Sequence, residues 1–227
     1  MTVTDRQFHA VLFDWCGTLV DYPTRAQRFA RVLERLGHPH DRQSVVELAQ
    51  AFATAQEHRD AIESDRHCDL SAANHEEAKL LVCKLAGIDD ELAAAIEQSY
   101  GDLTTYRTYP EVVDVITTLH RHDIEIAIVS DLHVDLRPYF ASLGILDYSS
   151  GFAISYEVGA VKPDRRMFDA ALNAITSPAH RCLMMGDNLG PDTGAAALGI
   201  TTLIVPVERV DRPALVHRVT ALAALPI

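Results

Sequence analysis

The sequence predicts an α/β fold, a doubly wound parallel sheet with an inserted α-helical cap domain. Two observations support this prediction. Short apolar runs alternate with amphipathic segments through most of the chain, whereas one long stretch near the amino-terminal end contains amphipathic segments only. Alternating strands and helices favour a parallel sheet covered on both faces. A chain of 227 residues is long enough for one such core and a modest second lobe.

Five apolar runs have the length and composition of buried parallel strands. They are residues 9–13, 124–129, 152–155, 182–185 and 201–205. A segment with helical periodicity precedes each of the last four runs, and another follows the fifth. These predicted helices are residues 110–121, 134–143, 164–175, 192–198 and 212–222.

The stretch between the first two predicted strands has a different pattern. Four segments carry apolar residues at spacings of three and four, with no strand between them: residues 24–37, 44–58, 75–87 and 90–101. We therefore predict that residues 22–108 form an inserted helical cap domain. Residues 1–21 and 109–227 would form the α/β core domain.

Composition excludes several classes of partner. A net charge of −12 argues against binding to nucleic acid or to an anionic membrane. The amino-terminal residues lack the pattern of a secretion leader, and no apolar run approaches the ~18 residues of a membrane span, so we expect a cytoplasmic protein. The four cysteines, Cys16, Cys68, Cys83 and Cys182, lie too far apart to suggest zinc or a redox dithiol, and we expect reduced thiols.

Polar residues follow the predicted strands at the points where the strands end. Ligands of open parallel sheets collect at the carboxyl ends of the strands, so we expect these side chains to meet at one edge. The residues are Asp14, Ser130, Asp131, Lys162, Gly186, Asp187 and Asp192. Any single aspartate could be a turn residue or a helix cap. Several carboxylates and one ammonium on successive strand ends indicate a site for chemistry.

Four segments of the chain resemble the motifs of the haloacid dehalogenase-like (HAD) superfamily, and the inserted helices resemble its C1-type cap. The segments are, in order, "FDWCGTLVD", "IAIVSD", "GAVKPDRRMFDAAL" and "MMGDNLGPDTGAAALGI". The resemblance implies a Rossmann-like core that contains the active site.

The same resemblance implies roles for the residues at the strand ends. Asp14 would be the covalent nucleophile, Ser130 would hold a phosphoryl oxygen and Lys162 would neutralise charge. Mg²⁺ would be bound by Asp14, Asp187, Asp192 and the backbone carbonyl of Cys16. Hard oxygen ligands of this kind are the ones that Mg²⁺ prefers.

Other residues near these motifs are candidates for substrate binding. Gly17 lets the chain turn tightly after the first strand, and Thr18 can place a hydroxyl near the same point. Asp131, Asn188 and His67 complete this set, with His67 as a candidate acid from the cap. The partner would be a small phosphorylated molecule, and the protein itself a monomer or a homodimer.

Cys16 departs from the family pattern, because phosphatases of the superfamily have a second aspartate there as the general acid. Three interpretations stay open. In the first, the enzyme is a phosphatase whose substrate has a good leaving group or whose cap supplies the acid. In the second, it is a phosphonatase-like or 2-haloacid dehalogenase-like hydrolase. In the third, the protein is a pseudoenzyme that binds a phosphorylated ligand without turnover. We favour a magnesium-dependent hydrolase that acts on a phosphorylated metabolite through an aspartyl-phosphate on Asp14.

Overall fold

The computed structural model describes residues 7–205 and 207, which form two compact units. One unit contains the chain up to Asp21 and from Arg107 onward, and we call it the α/β unit. The other, Tyr22–Tyr106, is the helical unit. The helix predicted over residues 212–222 lies outside the described residues.

The strands form two sheets, both within the α/β unit. In chain order they are β1 (Ala10–Phe13), β2 (Val20–Asp21), β3 (Arg107–Thr108), β4 (Glu125–Ser130), β5 (Gly151–Ile154), β6 (Cys182–Gly186) and β7 (Thr201–Ile204). Five strands form a parallel sheet in the order β5-β4-β1-β6-β7. This arrangement confirms the predicted α/β class. The sequence did not predict β2 and β3, which pair antiparallel.

The described residues contain ten α-helices. In chain order these are α1 (Arg25–Leu36), α2 (Arg42–Gln56), α3 (Arg59–Asp65), α4 (Ala72–Leu85), α5 (Asp90–Gln98), α6 (Val112–Arg121), α7 (Arg137–Ser142), α8 (Ser155–Val158), α9 (Arg165–Asn173) and α10 (Leu189–Asp192). The first five belong to the helical unit and the others to the α/β unit.

Helix α1 shows how local sequence sets the ends of an element. Thr24 and Gln27 form a reciprocal capping box at its start, and Gly37 ends it in the left-handed region at φ +68°. Its apolar face is buried in the core of the helical unit, where Phe29 meets Phe52 edge to face at 5.3 Å between ring centroids. The cap residues and the apolar spacing together specify this helix.

The position of β1 explains where a ligand site should form. β1 is the central strand, with β4 on one side and β6 on the other. The chain leaves β1 toward β4 and β5, then returns to β6 on the opposite side, so the strand order reverses between β1 and β6. Crevices of open α/β sheets lie at the carboxyl ends of the strands at such a reversal. Asp14 follows β1 there, and Asp187 follows β6.

Three predicted elements differ from the observed ones. Ser155 begins α8 instead of ending β5, and its hydroxyl exchanges hydrogen bonds with the backbone of Leu132. Helix α7 is shorter than predicted because it begins at Arg137, with Pro138 in its first turn. The predicted helix at 192–198 is instead α10 followed by a 3-10 helix over Thr193–Leu198.

No helix of the described residues is long and apolar enough to cross a membrane.

Candidate active site

Lys162 connects two aspartates from different parts of the α/β unit. Its ammonium Nζ lies 2.7 Å from Oδ1 of Asp14 and 2.7 Å from Oδ1 of Asp192. Lys162 is 7% exposed and Asp192 is fully buried, so this lysine is not a solvated loop residue. The backbone N–H of Lys162 donates to Oδ1 of Asp131 at 2.9 Å, which fixes the loop that carries the ammonium.

Asp187 completes a cluster of three carboxylates with Asp14 and Asp192. One oxygen from each of the three lies within 4.8 Å of the others. Two glycines leave the space that this cluster needs. A Cβ on Gly17 would lie 2.5 Å from Oδ2 of Asp187, and a Cβ on Gly186 would collide with the carboxylate of Asp192. The φ of +80° at Gly17 favours glycine as well.

The electrostatics of the cluster follow from burial and from the mutual repulsion of the carboxylates. Burial raises the pKa of Asp14, Lys162 opposes this shift and Asp192 adds to it. Burial and the neighbouring Asp14 raise the pKa of Asp187 to about 7. For Lys162, burial alone would lower the pKa, but Asp14 and Asp192 outweigh burial and raise it. Lys162 is therefore a cation beside two carboxyl groups, Asp14 and Asp187, whose pKa values are raised.

Two hydroxyls, from the loop after β1 and from the end of β4, lie on the same part of the chain's predicted site. Thr18 donates a 3.2 Å hydrogen bond from Oγ1 to Oδ2 of Asp14. Ser130, at the end of β4, is 1% exposed, and its Oγ is without a hydrogen-bond partner among the described residues. A buried hydroxyl in this condition costs free energy unless a ligand satisfies it. Ser130 is thus suited to donate to a ligand.

Cys16 and Asn188 lie on the loops that carry the carboxylates. Cys16 is half-buried and forms an isolated bridge with Val20 in a tight loop, where the Gly17 N–H donates to the Val20 carbonyl. The backbone N–H of Asn188 donates to Oδ2 of Asp192 at 2.9 Å. The backbone of Asn188 thus contacts the cluster, whereas the role of the Cys16 carbonyl as a metal ligand stays a prediction. None of the four cysteines forms a disulfide with another described residue.

His67 belongs to the helical unit, and its role as an acid stays a prediction. It is exposed and precedes a short 3-10 helix over Cys68–Leu70. Its carbonyl accepts a hydrogen bond from Asn74 Nδ2 at 3.1 Å. Lys79, also in the helical unit, is buried and pairs with Asp65 at 2.8 Å.

Sequence reasoning missed the contribution of Trp15. This residue is fully buried, and its carbonyl accepts the N–H groups of Thr18, Leu19 and Val20. Its ring packs edge to face on Tyr139, with 5.4 Å between centroids. Trp15 thereby fixes the loop between Asp14 and Thr18. The only available signal was a large aromatic residue directly after the strand-end aspartate.

Comparison with known proteins identifies the family. A sequence model of the haloacid dehalogenase-like hydrolases matches residues 8–199 of this chain. The protein is a haloacid dehalogenase-like hydrolase. This match confirms the family that the four sequence motifs indicated.

Related proteins within the haloacid dehalogenase-like family include enzymes of different reaction types. The chain is 30% identical over 215 residues to a ribulose-1,5-bisphosphate 5-phosphatase of Halopiger xanaduensis, with 89% of this chain and 87% of the relative covered. The HAD-hydrolase YfnB of Bacillus subtilis, bound to magnesium, superposes with a TM-score of 0.68 at 17% identity, over 96% of this chain and 98% of that chain.

The L-2-haloacid dehalogenase of Xanthobacter autotrophicus superposes with a TM-score of 0.60 at 22% identity, over 96% of this chain and 83% of that chain. At such identities the two structures show that the haloacid dehalogenase-like hydrolases share this fold. They do not distinguish phosphate cleavage from halide release.

Proposed function

We propose that this hydrolase is a magnesium-dependent phosphatase that acts on a small phosphorylated metabolite through an aspartyl-phosphate on Asp14. The single observation that carries the proposal is the convergence of Lys162 with Asp14, Asp187 and Asp192 at the carboxyl ends of β1 and β6. A phosphate dianion needs cationic groups around it before a carboxylate can approach it. This cluster supplies one fixed ammonium and a set of oxygens suited to a divalent cation.

The carboxylates fit a magnesium ion on their own chemistry. Three carboxylates within 4.8 Å of one another carry more negative charge than one ammonium offsets. Burial, together with the nearby Asp14 and Asp192, raises the pKa of Asp187 to about 7, and a bound cation would oppose this shift. Asp14, Asp187 and Asp192 would hold the ion, together with the carbonyl of Cys16. When bound, the ion would offset charge on the phosphoryl oxygens.

The reaction proposed for Asp14 has two steps. In the first, a carboxylate oxygen of Asp14 attacks phosphorus, an Asp14 O–P bond forms and the ester O–P bond breaks. In the second, water attacks the phosphorus of the aspartyl-phosphate, which releases inorganic phosphate and restores the carboxylate. Lys162 and Ser130 would hold the non-bridging oxygens during both steps. Thr18 would keep the attacking carboxylate oriented, since it already donates to Oδ2.

The thiol of Cys16 limits how the leaving oxygen of the substrate can obtain a proton. An ordinary thiol has a pKa near ~8.5 and is protonated at neutral pH, but it is a weaker acid than a carboxylic acid. We therefore propose that the leaving oxygen either carries its negative charge well or takes its proton from another group. The helical unit would act as the cap that selects the substrate. The curated relative named above supports a sugar phosphate as the first substrate class to test.

A panel of sugar phosphates and aryl phosphates, with and without Mg²⁺, tests the proposal. Magnesium-dependent release of inorganic phosphate, absent in Asp14→Asn, supports it. Release of chloride from 2-chloroacids without added metal would indicate a dehalogenase instead. A wild type that binds the esters without turnover, and becomes active as Cys16→Asp, would indicate the pseudoenzyme.

A further inference from the structure

The helical unit contains a small cavity beside α1 whose lining is rich in arginine. Arg28, Arg31 and Arg35 occur at spacings of three and four, so they share one face of the helix. Ser99, Asp102 and Thr105 line the opposite side, and the cavity measures about 100 Å³. We call it the arginine cavity. All of its lining residues lie within the helical unit.

Arg28 is the buried member of the set. It is 5% exposed, donates from Nη1 to the carbonyl of Ser99 and lies over the ring of Tyr100, 4.2 Å from the centroid. No carboxylate of the described residues forms an ion pair with it. Arginine has five N–H donors, and a buried guanidinium is costly without a counter-charge. The rings of Tyr100 and Tyr106 attract the guanidinium but supply no anionic partner.

Arg31 and Arg35 add two more cations at the mouth of the cavity. Both are exposed, and neither forms an ion pair with a described carboxylate. Elsewhere in the described chain Arg137 pairs with Glu157 at 2.7 Å and Arg166 with Asp164 at 2.8 Å. Acidic residues outnumber basic ones by 32 to 20 in this protein, yet these three arginines on one helix face have no carboxylate partner among the described residues.

The remaining polar groups of the lining supply one negative charge against three cations. Asp102 is the single acidic residue of the lining, and its Oδ1 already accepts from the N–H and the hydroxyl of Thr104. The hydroxyl of Thr105 donates to the carbonyl of Asp102. Arg28 donates to the carbonyl of Ser99, and Arg35 donates from Nη2 to the carbonyl of Ala95 at 3.2 Å. The other guanidinium N–H groups of the three arginines are the donors left for a ligand. These form strong, directional bonds with carboxylate and phosphate oxygens.

The volume limits the size of the ligand. At ~10–15 Å³ of such space for each water, about 100 Å³ holds several waters. A single tetrahedral oxyanion fits in this volume, whereas a whole drug-sized ligand needs several hundred Å³. Any larger ligand would place only its anionic group here.

We propose that the arginine cavity binds a phosphate-class oxyanion. The anion is a small ligand held within the helical unit alone. Binding itself does not depend on the proposed phosphatase activity, because the lining residues are distinct from Asp14, Lys162 and the other groups assigned to catalysis.

Titration with inorganic phosphate in the absence of magnesium, followed by calorimetry, tests the binding. Because Arg31 and Arg35 are exposed, the double variant Arg31→Gln/Arg35→Gln should keep the fold and leaves buried Arg28 in place. Thermal melting checks that this variant is folded. We expect this variant to bind phosphate at least about tenfold more weakly than the wild type. Arg42→Gln, an exposed arginine of α2 outside the cavity, is the matched control and should bind as the wild type does.

Ser130→Ala separates this site from the α/β unit and should retain the phosphate binding. Equal affinity in the double variant and in Arg42→Gln would overturn the proposal, as would a wild type that binds no phosphate. Added phosphate should also raise the melting temperature of the wild type and of Arg42→Gln more than that of the double variant.

Discussion

The ammonium of Lys162 lies 2.7 Å from Oδ1 of Asp14, although 148 positions separate the two residues in the chain. The parallel sheet is what brings them together, since Asp14 follows the central strand and Lys162 lies in the loop after β5 and α8. Both side chains are buried. A buried ion pair of this kind is a poor source of stability, because desolvation offsets the attraction. Its presence at a strand end is better explained by chemistry.

Removal of the ammonium should expose the repulsion within the cluster. In Lys162→Met, Asp14 and Asp192 lose their shared cation, and we expect the free energy of unfolding at pH 7 to fall by about 3 kcal/mol. Urea denaturation measures this loss. Lys84→Met, an exposed lysine of α4, is the control and should change little. Mg²⁺ should raise the melting temperature of Lys162→Met as well as that of the wild type. A variant as stable as the control would contradict this account of the cluster.

Gly17 provides a direct test of the close approach to Asp187. In Gly17→Ala the new Cβ would lie 2.5 Å from Oδ2 of Asp187, and the backbone would keep φ near +80°. The left-handed backbone alone costs an alanine about 1 kcal/mol. Gly144→Ala isolates this backbone cost, since Gly144 has φ +71° with nothing within 4 Å of a Cβ. We expect Gly17→Ala to lose more stability than Gly144→Ala and to lose hydrolytic activity, which the control keeps. Equal effects on both measurements would show that Asp187 does not need the space.

Cys16→Asp should restore the acid that the family pattern contains. For substrates with poor leaving groups we expect kcat/KM to rise by about 10² or more, because a positioned general acid contributes about 10²- to 10⁴-fold. For aryl phosphates with acidic leaving groups the change should be small. The dependence of log kcat/KM on leaving-group pKa measures this, with Cys16→Ser as the control for loss of the thiol. If this dependence has the same slope in the wild type, Cys16→Asp and Cys16→Ser, the leaving-group proton comes from another residue.

Glu125 links folding stability to pH at a place remote from the cluster. Partial burial acts to raise its pKa, but the hydrogen bonds from Ser177 and Thr176 outweigh burial and lower it. A carboxylate with a lowered folded-state pKa stabilises the fold above its unfolded pKa, near ~4.3, and the stabilisation is lost as the pH falls through the folded value. Glu125→Gln should therefore cost about 1 kcal/mol at pH 7 and much less at pH 3.

Urea titrations at the two pH values measure the effect of Glu125→Gln. Glu76→Gln, at an exposed position of α4, should show no such dependence on pH. A pH-independent difference between Glu125→Gln and the wild type would assign the effect to packing and not to the charge.

The sequence predicted those features of the site that depend on strand ends. Apolar runs located β1 and β6, and the rule for carboxyl ends then predicted that Asp14 and Asp187 meet. The close contacts within the site depend on backbone torsion angles and side-chain packing that no sequence pattern shows. One example is the approach of the Asp192 carboxylate to Gly186. The two-residue strands β2 and β3 are too short to show a period. Burial of Arg28 beneath Tyr100 was equally hidden, because periodicity predicts apolar positions and not a stacked cation.

The most direct test of the central claim is to identify the phosphorylated residue during turnover. The enzyme is mixed with Mg²⁺ and a substrate that it hydrolyses, quenched in acid within one turnover, digested and examined by mass spectrometry. The account predicts one phosphoryl group on the peptide that contains Asp14, and none in Asp14→Asn. A phosphoryl group on another residue, or none on a wild type that is turning over substrate, would contradict the account.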